Sequence, residues 1–176
     1  MTKRTIVAAL ALAGIFVALY LLLYKIGIVG NLSCSIGSCE TVNTSKWAVF
    51  LGAPVAAWGV GFYVVMFSLA LVSLQDRYAD SLGMSKLLVL LSGAGFLFSA
   101  WLTSLELFVI HAICQWCVIS AILATILFIV SWLDLREITH LAEETAEEAA
   151  ERLRDGRFGK ELRNTSEVAL RAIRKE

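Results

Sequence analysis

The chain begins with the polar residues Thr2, Lys3 and Arg4 and then runs through apolar residues from Thr5 to Tyr24. A second apolar run covers Val55–Leu74, and a third stretches from Leu87 to Leu133. A bilayer core about 30 Å thick is crossed by about 20 mostly apolar residues in a helix. Each of the first two runs fits one crossing. As a single helix rising ~1.5 Å per residue, the third would measure roughly 70 Å, more than twice that thickness. It must fold back, and the polar interruption at Glu106 and His111 marks the place. The pattern predicts an all-α integral membrane four-helix bundle over residues 1–134, with a large extracytoplasmic loop and a helical cytoplasmic tail over 135–176.

Composition agrees: 59% of residues are hydrophobic and only 17% are charged, and the mean hydropathy is +0.76. Of the 30 charged residues, 20 lie from Asp134 onward, so the body is nearly free of charge. A formal net charge of zero gives no hint of nucleic-acid binding; it is the uncharged body that points to membrane lipid as the surrounding partner. In the tail, Ile138, Leu141, Thr145, Ala149 and Leu153 keep a helical spacing, with Glu143, Glu144, Glu147 and Glu148 on the other face. Gly156 and Gly159 break that helix, and Asn164 with Glu167 resembles a capping box opening a second one. Such a pattern suits a solvated or self-associating helix. The first apolar run is longer than a signal peptide needs, and no small-x-small cleavage site follows it. A lipoprotein signal ending at Cys34 would put Asn31 where an aliphatic residue belongs.

Basic residues near span ends favour the cytoplasmic side. Lys3 and Arg4 precede the first span, Arg77 and Lys86 separate the second and third, and Arg136 follows the fourth. Only Lys25 and Lys46 lie on the other side. Both termini are therefore expected in the cytoplasm, with the loop after the first span and the third-to-fourth hairpin outside. That side is oxidising, where disulfides persist.

All four cysteines fall on this outer side. Cys34 and Cys39 lie in the polar segment Asn31–Lys46, spaced Cys-x-x-x-x-Cys, while Cys114 and Cys117 form Cys-Gln-Trp-Cys at the start of the fourth helix. Residues at i and i+3 of a helix come close enough for a disulfide. A helix N-terminus also favours a thiolate. Cys117, one turn into the helix, is placed to meet a membrane-dissolved partner, and the loop pair a soluble one. The residues leave a redox relay, two inert structural disulfides and a zinc site all open. Haem attachment needs histidine after Cys-x-x-Cys, and Val118 stands there.

Cys39-Glu-Thr-Val-Asn-Thr-Ser45, Leu51-Gly-Ala-Pro54, Trp58-Gly-Val-Gly-Phe-Tyr63 and the passage Leu105–Cys117 together resemble the prokaryotic branch of the vitamin K epoxide reductase family. The likeness covers roughly Thr5 to Leu133. In the DsbB family of quinone-coupled disulfide generators the order of the pairs is reversed. The resemblance implies a quinone-dependent thiol oxidase acting on a soluble thioredoxin-fold, DsbA-like carrier. Cys34 would exchange with that carrier, Cys39 would pass electrons inward to Cys114, and Cys117 would be the thiolate facing a ubiquinone or menaquinone. Ser45 would hydrogen-bond a quinone oxygen. Where the family's vertebrate members carry a tyrosine four residues past the last cysteine, this chain has Ala121, which favours quinone reduction over epoxide chemistry. No metal is implied.

Two residues near the hairpin admit more than one role. Glu106 suits either function or contact with interfacial water, and His111 either thiolate promotion or a turn. Trp47, Trp58, Trp101 and Trp116 suit an interfacial aromatic belt, with one or two lining a ring-shaped pocket. Pro54 fits the first turn of the second span. The rival to the enzyme is a non-catalytic membrane subunit with structural disulfides and an interaction tail.

Overall fold

In a computed structural model of the chain, residues 2–31, 33–34, 37–75, 81–154, 156, 163–165 and 167 are described. The apolar runs form helices α1 (Thr2–Lys25), α3 (Val55–Ser73), α4 (Leu82–Leu105) and α5 (Gln115–Arg154). Each is long and apolar enough to cross a membrane. Between α1 and α3 lie a short helix α2 (Cys39–Thr44), a 3-10 turn at Lys46–Ala48 and two short strands. A π-helical turn, Glu106–Ile110, ends α4. The long apolar stretch folds back where Glu106 and His111 stand.

Contacts divide the chain into Met1–Arg136 and Glu137–Glu176. In the first unit α1 packs along α3. Ala11, Gly14 and Ala18 share one face of α1, and small residues there let helix backbones approach. A Cβ on Gly14 would collide with the Tyr63 ring, so glycine is what admits a large aromatic at the centre. Val7, Ala11, Tyr63, Met66, Leu88 and Leu127 form the buried core. Phe16, Leu90, Leu97, Ile122 and Ile129 are exposed. In a lipid-spanning bundle these are the hydrocarbon-facing positions.

Three expectations change. The fold is not wholly helical: Val49–Phe50 (β1) pairs antiparallel with Ala53–Pro54 (β2). Leu51 and Gly52 at its tip both have positive φ, 52° and 81°, the backbone of a two-residue hairpin turn whose twist matches the strands. Pro54 stands at the N-cap of α3, not in its first turn. Arg4, counted among the flanking charges, turns inward and is only 3% exposed. Its Nε faces Asp134 at 3.3 Å. Its Nη1 donates to the Ser73 carbonyl at 2.8 Å and its Nη2 to Ser85 Oγ at 3.0 Å. Ser85 Oγ in turn donates to Asp134 at 2.8 Å. One guanidinium thus joins α1, α3, α4 and α5 at the end of the bundle remote from the cysteines.

In the second unit the helical character expected after Asp134 belongs to α5, which runs on without a break to Arg154. Residues 141–154 are exposed, Leu141 and Leu153 among them. Residues 163–165 and 167 are helical. Asn164 therefore lies inside the second piece instead of capping it. Arg77 and Gly159, invoked above for sidedness and for a break, lie outside the described residues.

Candidate thiol–disulfide site

The far ends of α1 and α4 and the starts of α3 and α5 meet at the cysteine end. The loop pair is joined: Cys34 and Cys39 form a disulfide with Cα atoms 6.3 Å apart. Cys114 and Cys117 are free thiols, the first fully buried and the second half-buried. Leu21, Cys39, Val42 and Cys114 make one buried cluster, with Cys34, Trp116 and Cys117 packed around it. Residues about 75 positions apart in the chain thus put all four sulfurs in one place. The disulfide withdraws two sulfurs from the four-thiolate set that zinc would need.

Backbone pairing sets this register. Gly37 bridges Cys114 in antiparallel fashion, and Ser38 N–H donates to the Ile113 carbonyl at 2.9 Å. Gly37 has φ +88°, and a Cβ there would strike that same carbonyl. Only glycine permits both the turn and the close approach. Trp116 then fastens the loop: its Nε1 donates to the Ser33 carbonyl at 3.0 Å, and its ring lies 5.0 Å from that of Tyr20. Trp116 is a loop clamp more than a belt residue.

The inner pair opens α5. The Cys114 carbonyl accepts the Val118 N–H at 3.0 Å, and its sulfur accepts the Cys117 N–H at 3.3 Å. Cys114 therefore caps the helix as serine or aspartate often does. A hydrogen bond from the Cys117 thiol, helped by nearby backbone N–H groups, pulls the Cys114 thiol below its ordinary value against the opposing effects of burial and of Glu106. The anion is favoured on Cys114, with Cys117 as its donor. The free N–H groups of the helix start converge on this capping sulfur.

The remaining polar residues sort cleanly. Glu106 is only 5% exposed; its Oε2 accepts the Cys114 N–H at 3.1 Å. His111 is exposed with φ 53°. It is the left-handed residue that turns the chain from the π-helical end of α4 toward Cys114, a conformation histidine tolerates better than most. Ser45 Oγ donates to the Val42 carbonyl at 2.8 Å, so its proton is committed within the loop.

Beside Cys117 lies a cavity of about 400 Å³, walled by Phe50, Trp58, Phe62, Phe98 and Leu102 and reached by Ser45, Glu106 and Cys117. Trp47 and Trp58 are the tryptophans that line it, while Trp101 packs on Phe50 and Phe98 outside the lining. Tyr63 forms its floor and was not singled out from sequence; its hydroxyl is 2.9 Å from both the Ser120 carbonyl and the Ser120 hydroxyl. The signal that would have found it is a lone phenol amid an apolar span, which must find a partner there. An apolar, aromatic cavity with few polar groups fits a flat ring such as a quinone head group.

Four membrane-length helices gathering a disulfide and a free thiol pair beside an apolar cavity define a multi-pass membrane protein of thiol redox type. The comparison with known families agrees: the chain matches the vitamin K epoxide reductase family over residues 5–132. It belongs to that family and is a membrane oxidoreductase. A search of curated proteins finds no match.

Proposed function

We propose that the protein makes disulfides for a soluble, thioredoxin-fold carrier on the extracytoplasmic side and delivers the electrons to a membrane quinone. A carrier thiolate attacks Cys34, breaking the Cys34–Cys39 bond and releasing Cys39 as thiolate. With the inner pair oxidised, Cys39 attacks Cys114 and releases Cys117. The carrier's second thiol then resolves its bond to Cys34, and Cys34 resolves the bond between Cys39 and Cys114. The reduced inner pair passes two electrons to the quinone and closes again. The observation that carries this reading is that Cys39 and Cys114 share one buried cluster while Cys117 opens onto the aromatic cavity.

Each ~30 mV between a two-electron couple and its acceptor is worth ~1.4 kcal/mol, so a quinone at higher potential drives the sequence forward. Ser45, at the cavity edge, would engage a quinone oxygen after its hydroxyl leaves the Val42 carbonyl. The direct test uses the purified chain in lipid nanodiscs with a reduced thioredoxin-fold protein and a water-soluble ubiquinone analogue. Quinone-dependent disulfide formation in the carrier is expected. Absence of both quinol and any carrier–Cys34 mixed disulfide would sink the proposal in favour of a structural subunit.

A further inference from the structure

The spanning helix α4 gives way at a buried carboxylate. Glu106 begins the π-helical turn, and its backbone carbonyl accepts the N–H groups of both His111 and Ala112. Wide turns of this kind recur at functional positions. Its side chain reaches both members of the inner pair. Oε2 accepts the Cys114 N–H at 3.1 Å, and the Cys117 thiol lies within hydrogen-bonding reach of the same carboxylate. Glu106 and Cys117 also line the aromatic cavity together.

The cavity's other titratable group is Tyr63, whose hydroxyl is engaged with Ser120. No lysine, arginine or histidine lines it among the described residues. A buried carboxylate without a cation beside it is expensive. A backbone cap alone could be supplied by a neutral amide at less desolvation cost.

We propose that Glu106 is the proton carrier between the inner cysteine pair and the oxidising substrate in the cavity. The inference rests on the quinone reading above. With Cys114 as thiolate and Cys117 as thiol, forming their S–S bond releases one proton and two electrons. The electrons reduce the quinone; Glu106 takes the Cys117 proton and hands it to a quinone oxygen. A second proton, drawn from water, completes the quinol. When a disulfide is returned to thiols from the loop side, the same carboxylate, reprotonated, can supply the proton to Cys117.

Glu106→Gln separates the two roles, because the amide oxygen still accepts the Cys114 N–H but the side chain cannot carry a proton. The first arm contains no quinone: alkylation of Cys114 and Cys117 is followed by mass spectrometry across pH in nanodiscs. Removing a negative charge beside the thiols favours their thiolates, so the E106Q profile should move to lower pH by about one unit. An unmoved profile overturns the proposal. In the second arm the reduced protein is mixed with the ubiquinone analogue for one turnover. E106Q should slow quinol formation about 100-fold, and Glu106→Asp, which keeps a transferable proton, should recover most of that loss. Equal losses in both variants, whether of rate or of fold, make the carboxylate structural and overturn the carrier role. If the unaltered protein forms no quinol at all, the quinone reading itself fails, while the alkylation arm still reports on Glu106.

Discussion

The two ends of the bundle each hold a buried polar cluster, and they are built on opposite principles. At the end remote from the cysteines, the Arg4 guanidinium, the Ser73 carbonyl, the Ser85 hydroxyl and the Asp134 carboxylate are linked by hydrogen bonds of 2.8–3.4 Å. One residue from each spanning helix is committed, and none of the four lines the aromatic cavity. At the cysteine end the polar atoms are arranged around a space. Cys117 and Glu106 line the cavity, Cys34 and Cys39 are joined in a disulfide, and a hydrogen bond from the Cys117 thiol draws the Cys114 thiol below its ordinary value. Saturated hydrogen bonding in a low-dielectric interior makes a rigid clamp, and unsatisfied reactivity beside a cavity makes a site.

Substitutions at the two ends should therefore fail differently. The largest effect is expected from Cys117→Ala, which removes the sulfur at the cavity: quinol formation should fall below detection while a Cys39–Cys114 bridge can still be trapped. Quinone turnover surviving this change would break the assignment of the terminal sulfur. Next is Cys34→Ala, which should stop oxidation of a thioredoxin-fold carrier yet leave a small dithiol able to reduce the Cys114–Cys117 pair. Equal loss of both would contradict the order of the relay.

At the clamp, Asp134→Ala leaves a buried guanidinium without its counter-charge, and should cost about 3–5 kcal/mol of stability. Thermal unfolding in nanodiscs would register it. The protein that remains folded should keep its rate of thiol exchange, and a matching collapse of exchange would show that the ends are not independent.

A smaller effect is the pH range of the Cys114 anion. Because its folded value is depressed, the thiolate persists as pH falls below the range of an ordinary thiol and is lost only on further acidification. Cys117→Ala removes the first of the causes, so the alkylation profile of Cys114 should move to higher pH. Smallest is Tyr63→Phe, which deletes one hydrogen bond to Ser120 and should cost about 1 kcal/mol, with only a modest rise in the quinone concentration needed for half-maximal rate.

Much of this was legible in the residues. The four spans follow from run lengths, and the reversal at Glu106 and His111 follows from the absence of any other polar break in the long apolar stretch. Both cysteine pairs could be named from spacing, and the place of Cys117 one turn into the fourth helix turned it toward a membrane-dissolved partner. The β-hairpin could not, since Val49–Pro54 is too short for an alternating pattern to show, and its turn uses Leu51 at positive φ, where glycine or asparagine would have announced it. Arg4 looked like an ordinary flanking charge because its partner lies 130 residues away. For the same reason Glu106 could not be assigned between water and function: its contact with Cys114 exists only once α4 has ended in a wide turn.

The sequence by itself determined that the chain is a membrane bundle and that its chemistry is sulfur chemistry, because hydrophobic length and cysteine spacing are local properties that survive without a fold. The tertiary structure alone decided which sulfur caps the helix, which carboxylate attends it and which rings wall the cavity. Those depend on distances between helices, and a linear pattern carries no distances across the bundle.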